Sequence, residues 1–148
     1  MKRILSIIIA GILAGVFAFT GLAPASASAS ALHRTGSLHL TKECSQFHGQ
    51  AGGFCTITTS NLKIVKPGSR VIYLKAAGNT GLDTTIVLDA GHGNKAYGHV
   101  VLDFATGTGR VTLNGGTGKF EDFHARAAVT FIAGVDWAWN GTYHFNDD

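Results

Sequence analysis

The stretch Leu113-Asn114-Gly115-Gly116-Thr117-Gly118-Lys119-Phe120-Glu121-Asp122-Phe123-His124-Ala125 decides how the chain is read. Three glycines in four residues tolerate positive φ and close backbone approach, so a tight reversal is expected here between two extended runs. A short strand-like run ends at Leu113, and a long apolar run, 123–133, leads on to 135–145. Gly-Thr-Gly-Lys resembles part of a phosphate-binding loop, but such a loop needs Gly, four residues and then Gly-Lys-Ser/Thr. Here Phe120 stands in place of the hydroxyl and Leu113 in place of the first glycine. No helical period follows to supply a dipole. Nucleotide binding is therefore not expected, and no cofactor is expected either.

Working outward, the chain is a series of short β-like runs separated by turn residues. Residues 54–59 are followed by Lys66-Pro67-Gly68-Ser69, residues 70–76 by Gly78-Asn79-Thr80-Gly81, and residues 84–90 by Gly91-His92-Gly93-Asn94. Residues 97–104 then lead through Thr106-Gly107-Thr108-Gly109 to 110–113. With 37–40 at the start and the two long runs at the end, about eight strands are expected. Parallel sheets need helical crossovers, and none is legible, so the pairing should be antiparallel. Several runs, notably 129–133, are apolar with few charges, and closing the sheet into a barrel protects such edges most directly. The expected fold class is all-β: one eight-stranded antiparallel β-barrel.

The N-terminus reads as an export signal, residues 1–29. Lys2 and Arg3 precede an apolar core at 4–19, and Ala25-Ser26-Ala27 and Ala27-Ser28-Ala29 offer small-x-small cleavage sites, with cleavage expected between about 27 and 31. The apolar core falls short of the roughly 20 residues of a spanning helix, so no membrane association is expected once it is removed. The remaining barrel domain, 30–148, loses Lys2 and Arg3 from twelve basic residues and retains nine acidic ones, a balance close to neutral. No cluster of Lys and Arg interleaved with aromatics remains, and nucleic acid is not an expected partner. Cys44 and Cys55, the two cysteines of the chain, read as a disulfide closing the loop 45–54 in an oxidising compartment.

Strand alternation indicates what can face the interior. Trp137, Trp139, Tyr143 and Phe145 share one face of the last strand with Gly141, opposite Asp136, Asn140, Thr142 and His144. Phe123, Ala125, Ala127, Val129 and Phe131 share one face of the strand before it. Large aromatics interrupted by Gly and Ala can hold a cavity open, or they can interdigitate into a filled core.

Gly115-Gly116-Thr117-Gly118-Lys119-Phe120 and the Trp-rich final stretch Trp137-Ala138-Trp139-Asn140-Gly141-Thr142-Tyr143 together resemble allene oxide cyclase-like and dirigent-like barrels, in particular small secreted bacterial proteins of that type. The resemblance covers 84–145 best. It implies an eight-stranded barrel with a ligand cavity, often a homotrimer, that orients a reactive fatty-acid or phenolic molecule by shape and exclusion of water. No catalytic residue of that family aligns here.

Candidate site residues therefore come from the chain itself. Trp137, Trp139 and Tyr143 are expected to wall a ligand site. Asp89, His99 and Asp103 sit inside or at the end of apolar runs, where burial would raise a carboxylate pKa and make a proton donor. Against this, Asp89 before Gly91 and Asp103 before Ala105-Thr106-Gly107 also suit strand ends and turns, and His99 suits a hydrogen-bonded sheet surface. Seven histidines show no compact ligand spacing, and no metal is expected. Asn140-Gly141-Thr142 matches a glycosylation sequon. No nucleophile elbow or paired-carboxylate signature points to a hydrolase. Two readings stay open. One is a secreted barrel that binds a small hydrophobic or phenolic molecule, with or without steering its cyclisation or isomerisation. The other is a non-catalytic secreted interaction or envelope protein with a packed core.

Overall fold

The computed structural model describes residues 34–146. The expected signal segment lies outside them. Eight strands follow in order: β1 (Thr35–Glu43), β2 (Phe54–Ser60), β3 (Arg70–Tyr73), β4 (Gly81–Asp89), β5 (Lys95–Asp103), β6 (Thr108–Thr117), β7 (Phe123–Ala133) and β8 (Asp136–Phe145). Each pairs with its sequence neighbour, and β1 pairs antiparallel with β8, so the sheet closes into a barrel without an edge. Among the described residues there is no α-helix. The barrel expected from the turn spacing is the barrel observed.

Period-2 burial runs around the whole wall, because successive side chains leave a strand on opposite faces. Leu38 and Leu40 of β1, Ile86 and Leu88 of β4, Val111 and Leu113 of β6, and Val129 of β7 fill the interior with Trp139 at its centre. The register sets Trp139 opposite Leu40 on one side and Val129 on the other. The barrel is therefore packed through its middle.

The glycine-rich corner departs from the expected reversal. Gly115 and Gly116 lie within β6, which runs on to Thr117, and the turn is a single 3₁₀ turn at Gly118–Phe120. The pairing of β5 with β6 slips by one residue at this point, so Asn114 and Gly115 form a bulge. Gly115 takes the positive φ of 74° that such a bulge requires. Gly118, at φ 59°, leaves no room for a Cβ, which would stand 2.4 Å from Asn94 Oδ1. That same oxygen accepts the Lys119 amide at 3.0 Å and ties the corner to the β4–β5 connection. The corner thereby turns Phe120 inward, where it is fully buried.

Phe120 meets Phe123 edge-on at 5.2 Å, and Phe123 in turn contacts Tyr143 and Phe145 at 5.9 and 5.1 Å. These rings plug one end of the barrel. The connections 44–53, 74–80, 104–107 and 134–135 gather at the opposite end, hereafter the mouth. Cys44 and Cys55 form the expected disulfide there, 11 residues apart in sequence.

A candidate ligand site at the mouth of the barrel

The mouth is built from the ends of several strands. Lys42 is cross-strand from Trp137, and Trp137 is cross-strand from Phe131, so these three side chains form a row over β1, β8 and β7. Tyr73, the last residue of β3, faces them from across the barrel beside Cys55. The β1–β2 connection folds over this end: Gly52 N donates to Tyr73 O at 2.7 Å, Ala77 N donates to Gly49 O at 2.8 Å, and Phe47 packs on the Tyr73 ring at 4.5 Å. Cys44 N donates to Val135 O at 2.9 Å and ties the same connection to the β7–β8 turn. Between these elements lies a cavity of about 530 Å³, walled by Phe47, Phe104, Phe131, Val135 and Trp137, with Leu82 and Leu102 deeper. Its size is that of a small-molecule site.

Two polar side chains reach its inner wall. Lys42 is only 4 % exposed, and its Nζ donates a hydrogen bond to Tyr73 Oη. The same Nζ lies 3.9 Å from Cys55 Sγ, 5.1 Å from the Tyr73 ring centroid and 5.3 Å from that of Trp139. Among the described residues no carboxylate lines the cavity. An ammonium buried without a counter-ion costs several kcal/mol, whereas cation–π contact returns only about 1–2 kcal/mol. Burial wins, and the Lys42 pKa falls from 10.5 to about 7. The amine is therefore largely uncharged just above neutrality. Burial pushes the Tyr73 hydroxyl up, so it stays a protonated phenol. The site thus offers an apolar slot with one amine and one phenol side by side.

The residues expected to wall a site are distributed along the barrel. Trp137 lines the mouth cavity. Trp139 lies one layer deeper, completely buried, and its Nε1 has no hydrogen-bond partner. Tyr143 sits at the plugged end, packed on Phe123, and the Cβ position of Gly36 is 3.0 Å from its ring. Phe131 keeps the inward parity expected of it, but β7 projects past the packed interior there, leaving it 44 % exposed at the rim.

The burial that would have made Asp89, His99 and Asp103 proton donors is absent at all three, because their parity puts them on the outer face. Asp103 Oδ1 accepts the Ala105 amide at 2.8 Å and shapes the β5–β6 turn. Asp89 Oδ1 accepts the Gly91 amide at 2.9 Å and pairs with Lys95 at 3.7 Å. His99 Nε2 is 2.7 Å from Asp83 on the exposed sheet surface. Among the described residues, no group of three His, Cys, Asp or Glu side chains is placed to hold a metal ion. A second, more polar cavity of about 560 Å³ lies at the plugged end, lined by Lys63, Lys66, Arg70, Asp89 and Lys119 among others.

Lys42 lies beyond the run 37–40 that the sequence marks as the first strand, whereas Tyr73 falls inside the strand-like run 70–76 and no sequence signal pairs it with Lys42. Carrying the alternation of the first strand two residues further, Leu38, Leu40, Lys42, places the lysine inside.

No protein-family model matches the chain, and no curated protein or solved structure matches it significantly. The functional reading consequently rests on the geometry of the mouth.

Proposed function

We propose that this is an exported barrel protein that binds a small hydrophobic or aromatic molecule, with the ligand seated in the mouth. The observation that carries this reading is the cavity itself: an apolar and aromatic slot of about 530 Å³ with a single amine–phenol pair, Lys42 and Tyr73, on its inner wall. Few convergent polar groups in an apolar pocket are what fixes the orientation of a small ligand. Orienting such a molecule while excluding water also suffices to steer a cyclisation or isomerisation of a reactive one. The bulged glycine corner, the Trp-rich β8 and the closed eight-strand order support kinship with allene oxide cyclase-like and dirigent-like barrels, and the trimeric assembly of that group is part of the proposal. The disulfide supports an oxidising compartment.

A second reading, a macromolecular interaction surface, is favoured by the exposed rim residues Phe131, Ile132 and Val135. Tryptophan fluorescence separates the two. Titration with unsaturated fatty acids, phenols and polyketide-like compounds is expected to give a saturable change that disappears in Trp137→Phe. A flat response to the whole panel would overturn the small-ligand reading and direct the search to macromolecules.

A further inference from the structure

Lys42 is more than a hydrogen-bond donor to an apolar guest. It is a primary amine at the inner wall of a cavity that contains no carboxylate, in contact with a phenol and flanked by the rings of Tyr73 and Trp139. A lysine placed only for packing would snorkel its head toward water, whereas this one turns its head inward and leaves it there without a counter-ion. The same amine on the outer wall would be protonated and inert as a nucleophile at neutral pH, and desolvation in an apolar pocket is a recognised way to activate a lysine toward carbonyl groups. A hydroxyl that stays protonated stands within hydrogen-bond reach of that amine, where a carbonyl oxygen under attack needs a proton.

We infer that the mouth cavity captures an apolar or aromatic aldehyde or ketone covalently, as an imine on Lys42 Nζ, with Tyr73 Oη as the proton donor. In the first step the Nζ lone pair forms a bond to the carbonyl carbon and the C=O π pair moves to oxygen. That oxygen takes the Tyr73 proton, and the new ammonium returns a proton to the phenolate. The carbinolamine hydroxyl then takes a proton from Tyr73 Oη and leaves as water while the nitrogen lone pair closes the C=N bond, and the resulting iminium N–H returns its proton to the phenolate. Amine and carbonyl compound thus become imine and water, with no oxidant or reductant involved. The inference rests on the ligand reading above and adds to it the chemical class of the ligand.

The other titratable groups lining the cavity are Tyr73 and His48, and His48 is exposed on the β1–β2 connection. Neither is a carboxylate that would hold the proton on Lys42. Burial in the apolar wall lowers the Lys42 amine to about 7, so a free-amine fraction is present there at neutral pH.

The test uses the exported protein with 2-naphthaldehyde, limiting cyanoborohydride and peptide mapping. Fluorescence titrations with 2-naphthalenemethanol and 2-naphthoic acid, which share the ring but form no imine, run in parallel. The expected result is one reduced adduct on Lys42, formed roughly tenfold or more faster than at Lys63, Lys66, Lys75, Lys95 or Lys119, with a rate at Lys42 that levels off above about pH 7. The adduct is expected to be lost in Lys42→Arg and blocked by excess naphthalenemethanol. In Tyr73→Phe, which leaves the amine in place, adduct formation on Lys42 should slow by a much larger factor than naphthalenemethanol binding weakens; a loss of rate no greater than the loss of binding would overturn Tyr73 as the proton donor. If the alcohol and aldehyde bind equally but adducts scatter over the surface lysines, the imine is overturned and the ligand reading stands. If naphthoic acid binds much more tightly than either and no Lys42 adduct forms, Lys42 is a counter-ion and the imine is again overturned. If none of the three binds and no lysine is preferred, both readings fail.

Discussion

At the end of the barrel closed by Gly118–Phe120, four aromatic rings interlock and the most buried of them, Phe120 and Phe123, have no exposed surface at all. At the mouth, the same alternation of strands delivers Lys42, Tyr73 and Trp137 to a space that no side chain of the described residues fills. One wall therefore carries two different solutions. Where rings from the corner and the last strand meet, apolar burial is complete and the end serves stability. Where β7 projects past the packed interior and the β1–β2 connection folds over, an amine is buried without a counter-ion among the described residues, an arrangement that disfavours the folded state and that the proposed ligand site would explain. On that proposal, stability and binding are separated along the barrel axis.

The largest expected effect tests the plug. Phe120→Ala should lower the stability to denaturant by about 3–5 kcal/mol, the usual loss for a fully buried phenylalanine. The folded fraction should bind mouth ligands with unchanged affinity. A comparable loss of affinity would break the separation of the two ends.

Next comes the disulfide at the mouth. Replacing both Cys44 and Cys55 by alanine should cost on the order of 3 kcal/mol in a reductant-independent denaturation experiment. Because Cys55 Sγ lies 3.3 Å from Tyr73 Oη, this change should also weaken ligand binding, which Phe120→Ala should not.

A smaller effect, opposite in sign, is expected at Lys42. The folded state binds fewer protons than the unfolded state between about pH 7, where folded Lys42 titrates, and 10.5, where the unfolded side chain does. Its contribution to stability therefore rises with pH across that window, and the cost of burying a cation is fully present below about pH 7. Lys42→Met should be more stable than the parent at pH 6, by on the order of 1–3 kcal/mol, and the two should converge as the pH approaches 10. Thermal melts at several pH values check this, and a methionine variant destabilised at pH 6 would show that the lysine is held by a partner.

The smallest change concerns the outer wall. The exposed His99–Asp83 pair should contribute well under about 1 kcal/mol, so His99→Ala should leave both the melt and ligand binding essentially unaltered.

How much of this was legible in the chain follows from which signals are local. Turn residues at short intervals announced eight antiparallel strands, and the apolar run at 129–133 argued for closure. Alternation groups Trp137 and Trp139 on one face of β8, and the structure turns that face inward. Parity says nothing about height along the barrel, however, and that is why Tyr143 was grouped with them although it belongs to the plugged end. Asp89, His99 and Asp103 were favoured for lying among apolar neighbours, yet apolar residues such as Val101 also occupy the outer face, where that one is 50 % exposed. Lys42 lies two residues beyond the run 37–40 legible as the first strand, and pairing with both β2 and β8 extends the strand through it. Gly115 and Gly116 were read as the turn itself, whereas a bulge inside β6 uses the same conformational freedom.

The separation of the two ends is tested most directly by an amide-resolved NMR titration of the isotopically labelled protein with 2-naphthol. Shifts confined to the mouth, at residues 44–53, 74–80, 104–107 and 131–137, with Gly118–Phe120 and Phe145 unmoved, are the predicted result. Shifts centred on the plugged end, or none up to the solubility limit of the naphthol, would contradict a ligand site built around Lys42 and Tyr73.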